Sequence, residues 1–187
     1  MTTQNKSGLI CRDCLPIRWG TVTAAQWADE HLNIDQVNQE RLRIINNLDD
    51  HRPEALEDHP GVAQELQKLD FKLNLILEML GQLISVSDTP PVAMPVLLAA
   101  ESIAWSHSRA DSLVLGEMLK VDVFLHPRYP FPLSFVGKVV TSTDAEMNQE
   151  IQLVPMSEQA QELYEKYLFK CHRRQIARER QKLKPIS

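Results

Sequence analysis

Seven large apolar residues between Val62 and Leu83 place the tightest constraint on this chain. Val62, Leu66, Leu69, Leu73, Ile76, Leu80 and Leu83 follow one another in steps of four, three, four, three, four and three. That is a heptad a/d register, and it asks for a partner helix along its whole length. The stripe runs about 33 Å, more than a small domain needs for cover. With Leu73 and Leu80 at position a, Leu77 and Ile84 take e and Met79 takes g, where two-stranded coils carry charge. So broad a face predicts a bundle of more than two helices. Seam side chains worth about 2 kcal/mol each on burial together outweigh association costs on the order of 10 kcal/mol. Self-association is therefore expected, as a dimer or more readily a tetramer. The alternative is a helix enclosed by its own domain, against which the register neither drifts nor breaks before Gly81.

Two further features concern how this helix is seated. Phe71 and Leu75, spaced i, i+4 on the opposite face, form a pair that would rest it on the remaining fold. Upstream, Ile34, Val37, Ile44 and Leu48 repeat at helical spacing, with Arg41 interrupting the stripe. They predict a shorter helix that pairs back on the long one across a turn near Arg52-Pro53.

The chain changes character on either side of this helical zone, which spans residues 24–88. Residues 9–24, LICRDCLPIRWGTVTA, read as an extended N-terminal segment with a short strand. Residues 92–154 contain short β-branched segments such as MLKVDVFL, LSFVGKVVTS and EIQLVP, separated by turn residues. That pattern predicts a small antiparallel sheet or barrel. In LKVDVFL, Leu119, Val121, Val123 and Leu125 share one face, and Phe124 on the other implies partial cover there too. HPRYPFP (residues 126–132) holds three prolines and so becomes a loop joining two strands. Residues 156–182 return to helix, with Ser157 as N-cap and Glu158 just inside it.

Composition excludes several function classes. A net charge of -5 gives nucleic acid no general footing, although the basic tail from Arg173 to Lys184 leaves nucleic acid or another anionic surface as a candidate partner. Asn74, Glu78 and Gln82 interrupt the most apolar run, so no membrane span is expected. MTTQNKSG lacks a signal-peptide layout. Three unevenly placed cysteines read as reduced thiols, and the expected location is cytoplasmic. Cys11 and Cys14 have the spacing of half a zinc knuckle, but Cys171 and His172 would supply the rest only if the last helix folded back beside the first strand. No metal is expected. The histidines show no HxH or HExxH spacing, Ser106-His107-Ser108 has no acid partner, and the glycines form no phosphate loop. Nothing argues for an enzyme. Trp19, Trp27 and Trp105 read as core or helix–barrel packing residues.

The order of helix pair, short-stranded barrel and a last helix ending LYEKYLFKCHRRQIARER resembles the PilZ domain family. The strand stretches PVLLAAESIAWSHSR and LGEMLKVDVFL carry the likeness, together with the aromatic–apolar run Leu163, Tyr164, Tyr167, Leu168 and Phe169. LDFKLNLILEML looks like the long helix of the atypical, tetramer-forming subgroup. The resemblance covers most of residues 15–182. It implies an α+β fold over one domain of residues 1–187: a small antiparallel β-barrel with a long heptad-bearing central helix, a preceding helix and a C-terminal helix. It also implies a place in bacterial cyclic di-GMP signalling, through protein partners that the residues do not identify.

Family members that bind the dinucleotide carry an Arg-x-x-x-Arg before the barrel and an Asp/Asn-x-Ser-x-x-Gly on an early strand. Forked guanidinium contacts to phosphates and guanine edges explain the first. Here Arg12 and Arg18 stand six apart, and the second motif falls on Leu97, Ala99 and Ser102, where Leu97 has no polar side-chain atom. The literal Arg-x-x-x-Arg is Arg174 to Arg178, on the last helix. It is either a relocated phosphate site or a basic turn complementing the helix dipole. An adaptor without the nucleotide, and a receptor using Arg12, Arg18, Arg174 or Arg178, are the two readings that follow. No resident cofactor is implied; cyclic di-GMP is the possible ligand.

Overall fold

The computed structural model describes residues 9–48, part of 61–79, 91–106, and 113–182 apart from 128, 143 and 145. Among these residues six antiparallel strands close a barrel in the order β1-β2-β3-β6-β5-β4. The strands are β1 (Ile10–Thr21), β2 (Ala93–Ala99), β3 (Ser102–Trp105), β4 (Met118–Val123), β5 (Leu133–Val140) and β6 (Gln149–Leu153). Two helices flank them, α1 (Ala24–Leu48) and α2 (Glu158–Lys182). The fold is α+β.

β1 is longer than the short strand expected of residues 9–24, and it closes the barrel by changing partner. Ile10 to Pro16 pair with β2, and Ile17 to Thr21 with β4. The change falls at Pro16, which has no amide to donate; its carbonyl accepts from the Phe124 N–H at 3.0 Å. Alternation then fills the interior. Leu119, Val121 and Val123 of β4 point in while Lys120 and Asp122 point out, and Leu125 beyond the strand is buried as well. Trp105 is fully enclosed and tilts against Trp19 with ring centroids 5.3 Å apart. Trp27 lies apart from them, 5.5 Å from His31 of its own helix. On β5 a Cβ at Gly137 would sit 2.5 Å from the Gln152 carbonyl oxygen of β6, so glycine lets the two strands close up. The proline-rich loop between β4 and β5 is pinched by a bridge between His126 and Tyr129.

Both helices begin with side-chain caps. Thr23 and Gln26 exchange bonds in a capping box, Gln26 N to Thr23 Oγ1 at 3.2 Å and Thr23 N to Gln26 Oε1 at 2.9 Å. At α2 the Ala160 N–H donates to Ser157 Oγ at 3.3 Å, the N-cap expected from the sequence. α2 lays Ala160, Tyr164, Tyr167, Leu168 and Cys171 onto the barrel and α1.

α1 buries a different face from the one its aliphatic repeat suggests. Asn38, Leu42, Ile45 and Asn46 are buried, whereas Ile44 is 43% exposed. The helix packs on β5 and α2. Two asparagines make this possible. Asn38 Nδ2 donates to the Ser134 carbonyl at 2.7 Å and its Oδ1 accepts the Ser134 N–H at 3.1 Å. Asn46 Nδ2 donates to the Leu163 carbonyl of α2 at 3.0 Å. Both amide atoms of Asn38 are thus bonded, which permits its burial, whereas the buried Asn46 Oδ1 has no hydrogen-bond partner among the described residues. Phe71 and Leu75 are exposed rather than seated on the barrel, whose flanks at β5 and β1 are taken by α1 and α2.

The cysteines also differ from expectation. Cys11 and Cys171 form a disulfide across a sequence separation of 160, and Cys14 is a free, exposed thiol. The last helix does fold back beside the first strand, and it brings thiol to thiol. Among the described residues no group of three or more His, Cys, Asp or Glu is arranged to hold a metal ion.

Candidate functional site

β1 turns Cys11, Leu15 and Ile17 inwards, and strand alternation leaves Arg12 and Arg18 on the outer wall. Six residues of strand separate them by about 20 Å, and they have different neighbours. Arg12 grips the β5–β6 loop: Nη2 lies 2.5 Å from Asp144 Oδ2, and Nη1 lies 3.3 Å from Glu146 Oε2. The Glu146 N–H also donates to Asp144 Oδ1 at 2.9 Å. That backbone bond, then the Arg12 guanidinium, holds the Asp144 carboxyl below the usual carboxylate range.

Arg18 faces Asp122, its direct partner in the β4 ladder, at 3.4 Å. Ser134 Oγ donates to the same carboxylate at 2.6 Å. Around this pair lies an open cleft of about 330 Å³ lined in part by Arg18, Trp19, Gln26, Glu30, Lys120 and Asp122. Lys120 is paired with Glu30 of α1 at 3.3 Å. The cleft thus holds two matched ion pairs, a mixed polar surface with no net anion-binding bias.

The outer wall of β1, β2 and β3 is where the two strand motifs of the PilZ resemblance fall. Leu97 stands opposite Arg12 in one ladder and opposite Ala104 in the next. Leu97, Ala104 and Met147 form an apolar cluster of their own, with Ile10 and Ala99 packed against it. Met147 is 7% exposed. The β5–β6 loop therefore covers this wall twice, with an apolar plug at Met147 and an ionic clamp at Arg12. Ser102 is buried at the start of β3. Asp144, Glu146 and Met147 are not legible as site residues in the sequence. Two acids and a methionine in a turn carry no signal that separates them from an ordinary solvated loop.

α2 brings its basic end to the same region. One turn past the disulfide, Gln175 Nε2 donates to the Arg12 carbonyl. Arg174 and Arg178 follow on this half of the helix, Arg178 exposed and Arg174 half-buried. The structure thus gathers Arg12 and the Arg174 turn at one end of β1 and leaves Arg18 at the other. Of the heptad residues, Val62, Leu66, Leu69, Leu73 and Ile76 are helical and exposed, between 47% at Leu66 and 59% at Leu73. Leu80 and Leu83 lie outside the described residues. On the polar side of the same helix Lys68 pairs with Glu65 at 2.7 Å.

Comparison with known proteins gives a consistent result. No curated protein matches the chain. Among solved structures, a pathogenic protein from Xanthomonas campestris, described as a new tetrameric PilZ domain self-assembled via an unusual helical bundle, superposes with a TM-score of 0.69. The two share 23% identity over 92% of each chain, which makes the fold common to both. The family model for the atypical PilZ domain, cyclic di-GMP receptor, matches residues 42–181. With its six-stranded barrel flanked by α1 and α2, this chain belongs to the atypical PilZ domain family of cyclic di-GMP receptors.

Proposed function

We propose that this protein is a non-enzymatic adaptor in bacterial cyclic di-GMP signalling. It acts in the cytoplasm, assembles through the heptad stripe that begins at Val62, and has lost the usual nucleotide contacts. The observation that carries the assembly is exposure: Val62, Leu66, Leu69, Leu73 and Ile76 keep a strict heptad register, and each is about half exposed among the described residues. A row of large aliphatic side chains left half in water favours self-burial strongly. The tetramer described for the Xanthomonas campestris protein, which assembles by a helical bundle, supports the same state here.

The loss of nucleotide contacts rests on the outer wall. A guanine there would meet Leu97 and Ala99 in place of polar partners, and would have to displace Met147 and break the Arg12 clamp. Size-exclusion chromatography with light scattering tests the assembly, with a tetramer expected; a monomer at tens of micromolar would refute it. Calorimetry with cyclic di-GMP, expected to give no heat at the usual wall, tests the rest.

One arrangement favours a second reading, a receptor with a non-standard arginine site. The contact from Gln175 to Arg12 brings the Arg174 and Arg178 turn beside Arg12. Saturable heat that disappears in an Arg174→Ala/Arg178→Ala variant would establish this reading and retire the first.

A further inference from the structure

We infer that Cys11 and Cys171 form a redox latch that fastens or frees the basic half of the last helix. The argument begins with burial along α2. Its inward residues are Ala160, Tyr164, Tyr167, Leu168 and Cys171, and none of residues 172–180 is buried. The disulfide therefore sits where the docked half of the helix ends and the projecting half begins. Past it, the projecting half touches β1 through Gln175 and the Arg12 carbonyl. A hydrogen bond at an exposed site is weak, and the cross-link is the covalent anchor at the base of that half.

Cys11 is wholly enclosed and Cys171 is 3% exposed. Their α-carbons lie 5.7 Å apart, within the usual range for a bridged pair. Cys14, three residues along β1, is exposed and outside the bridge. The pair is thus selected by position: the two thiols that the fold brings together react with each other, and the accessible one is left out.

The oxidant is a small-molecule disulfide of the glutathione class. When the turn that carries Cys171 opens, its thiolate attacks one of the oxidant's sulfurs, forming a mixed disulfide and releasing one thiolate. The Cys11 thiolate then attacks the Cys171 sulfur, closes the protein bridge and releases the second thiolate. The two protein thiols give up two protons and two electrons, and the small disulfide becomes two thiols. A dithiol reverses the sequence. In the oxidised form the half that carries Arg173, Arg174, Arg178 and Arg180 is fastened at its base to β1; in the reduced form its first turn opens more often.

The test uses the full chain equilibrated in oxidised and in reduced glutathione. Peptide mapping of the oxidised protein is expected to join Cys11 to Cys171, with Cys14 free or carrying one glutathione, and thiol titration after unfolding is expected to count three free thiols in the reduced protein. Trypsin cleavage after the arginines of α2 should be faster in the reduced form by about tenfold, since cleavage follows the open population. Cys171→Ser, checked for fold by circular dichroism, should cleave at the faster rate in both buffers; if it does not fold, the wild-type comparison stands alone. Three thiols after oxidation, a bridge mapped to Cys14, or equal cleavage rates in both forms would overturn the latch.

Discussion

Asp144 shows how much one side chain can hold. Its carboxylate joins the β5–β6 loop to β1 through Arg12, and its depressed pKa follows from the Glu146 backbone bond and that guanidinium. A carboxyl with a lowered folded-state pKa stabilises the fold above the ordinary value of about 3.9, and the effect fades as pH falls through the folded value. Asp144→Asn is therefore expected to lower the urea midpoint at pH 7, and the gap from wild type should close below about pH 4. Asn38 is a second case. Both of its amide contacts go to backbone atoms of Ser134, and the residue is 2% exposed. Asn38→Ala strands a buried N–H and a buried carbonyl, for a loss of about 2–4 kcal/mol in chemical denaturation. Asn38 was not legible in the sequence. An asparagine within an apolar repeat looks like a solvent-facing position until the strand that pairs with it is known. Tyr164 lies wholly enclosed against Phe135, with ring centroids 5.1 Å apart, and burial pushes its hydroxyl pKa upward.

Among the elements, the strands were the more legible, because a period of two is stamped by the barrel interior alone. Leu119, Val121 and Val123 are inward as their alternation requires. α1 was harder. Its aliphatic stripe at Ile34, Val37, Ile44 and Leu48 and its buried face at Asn38, Leu42, Ile45 and Asn46 are two surfaces of one helix. Periodicity finds whichever is more apolar, and hydrogen bonding to β5 and α2 selected the other. The heptad stripe is subject to a direct test at this scale. Leu73→Asp places a charge in the proposed seam and should dissociate the proposed oligomer in light scattering, while circular dichroism stays unchanged. An intact oligomer in that variant would mean that the seam lies elsewhere.

For the molecule as a whole, the disulfide is the longest covalent constraint. Bridging residues 160 apart restricts the unfolded chain by about 5 kcal/mol in the chain-entropy model. Reduction is accordingly expected to lower Tm by on the order of 10 °C, measured by calorimetry with and without a dithiol. The amino-acid order was enough to specify the α+β plan, the inward residues of β4 and the Ser157 cap, because each is a local pattern of polarity or capping chemistry. Three matters were decided in tertiary structure alone: the union of Cys11 with Cys171, the clamp of Arg12 on Asp144 and Glu146, and the face that α1 buries. The physical reason is common to all three. Each joins groups far apart in the chain, and no local pattern encodes which distant partner a thiol, an arginine or an amide will meet once the barrel has closed.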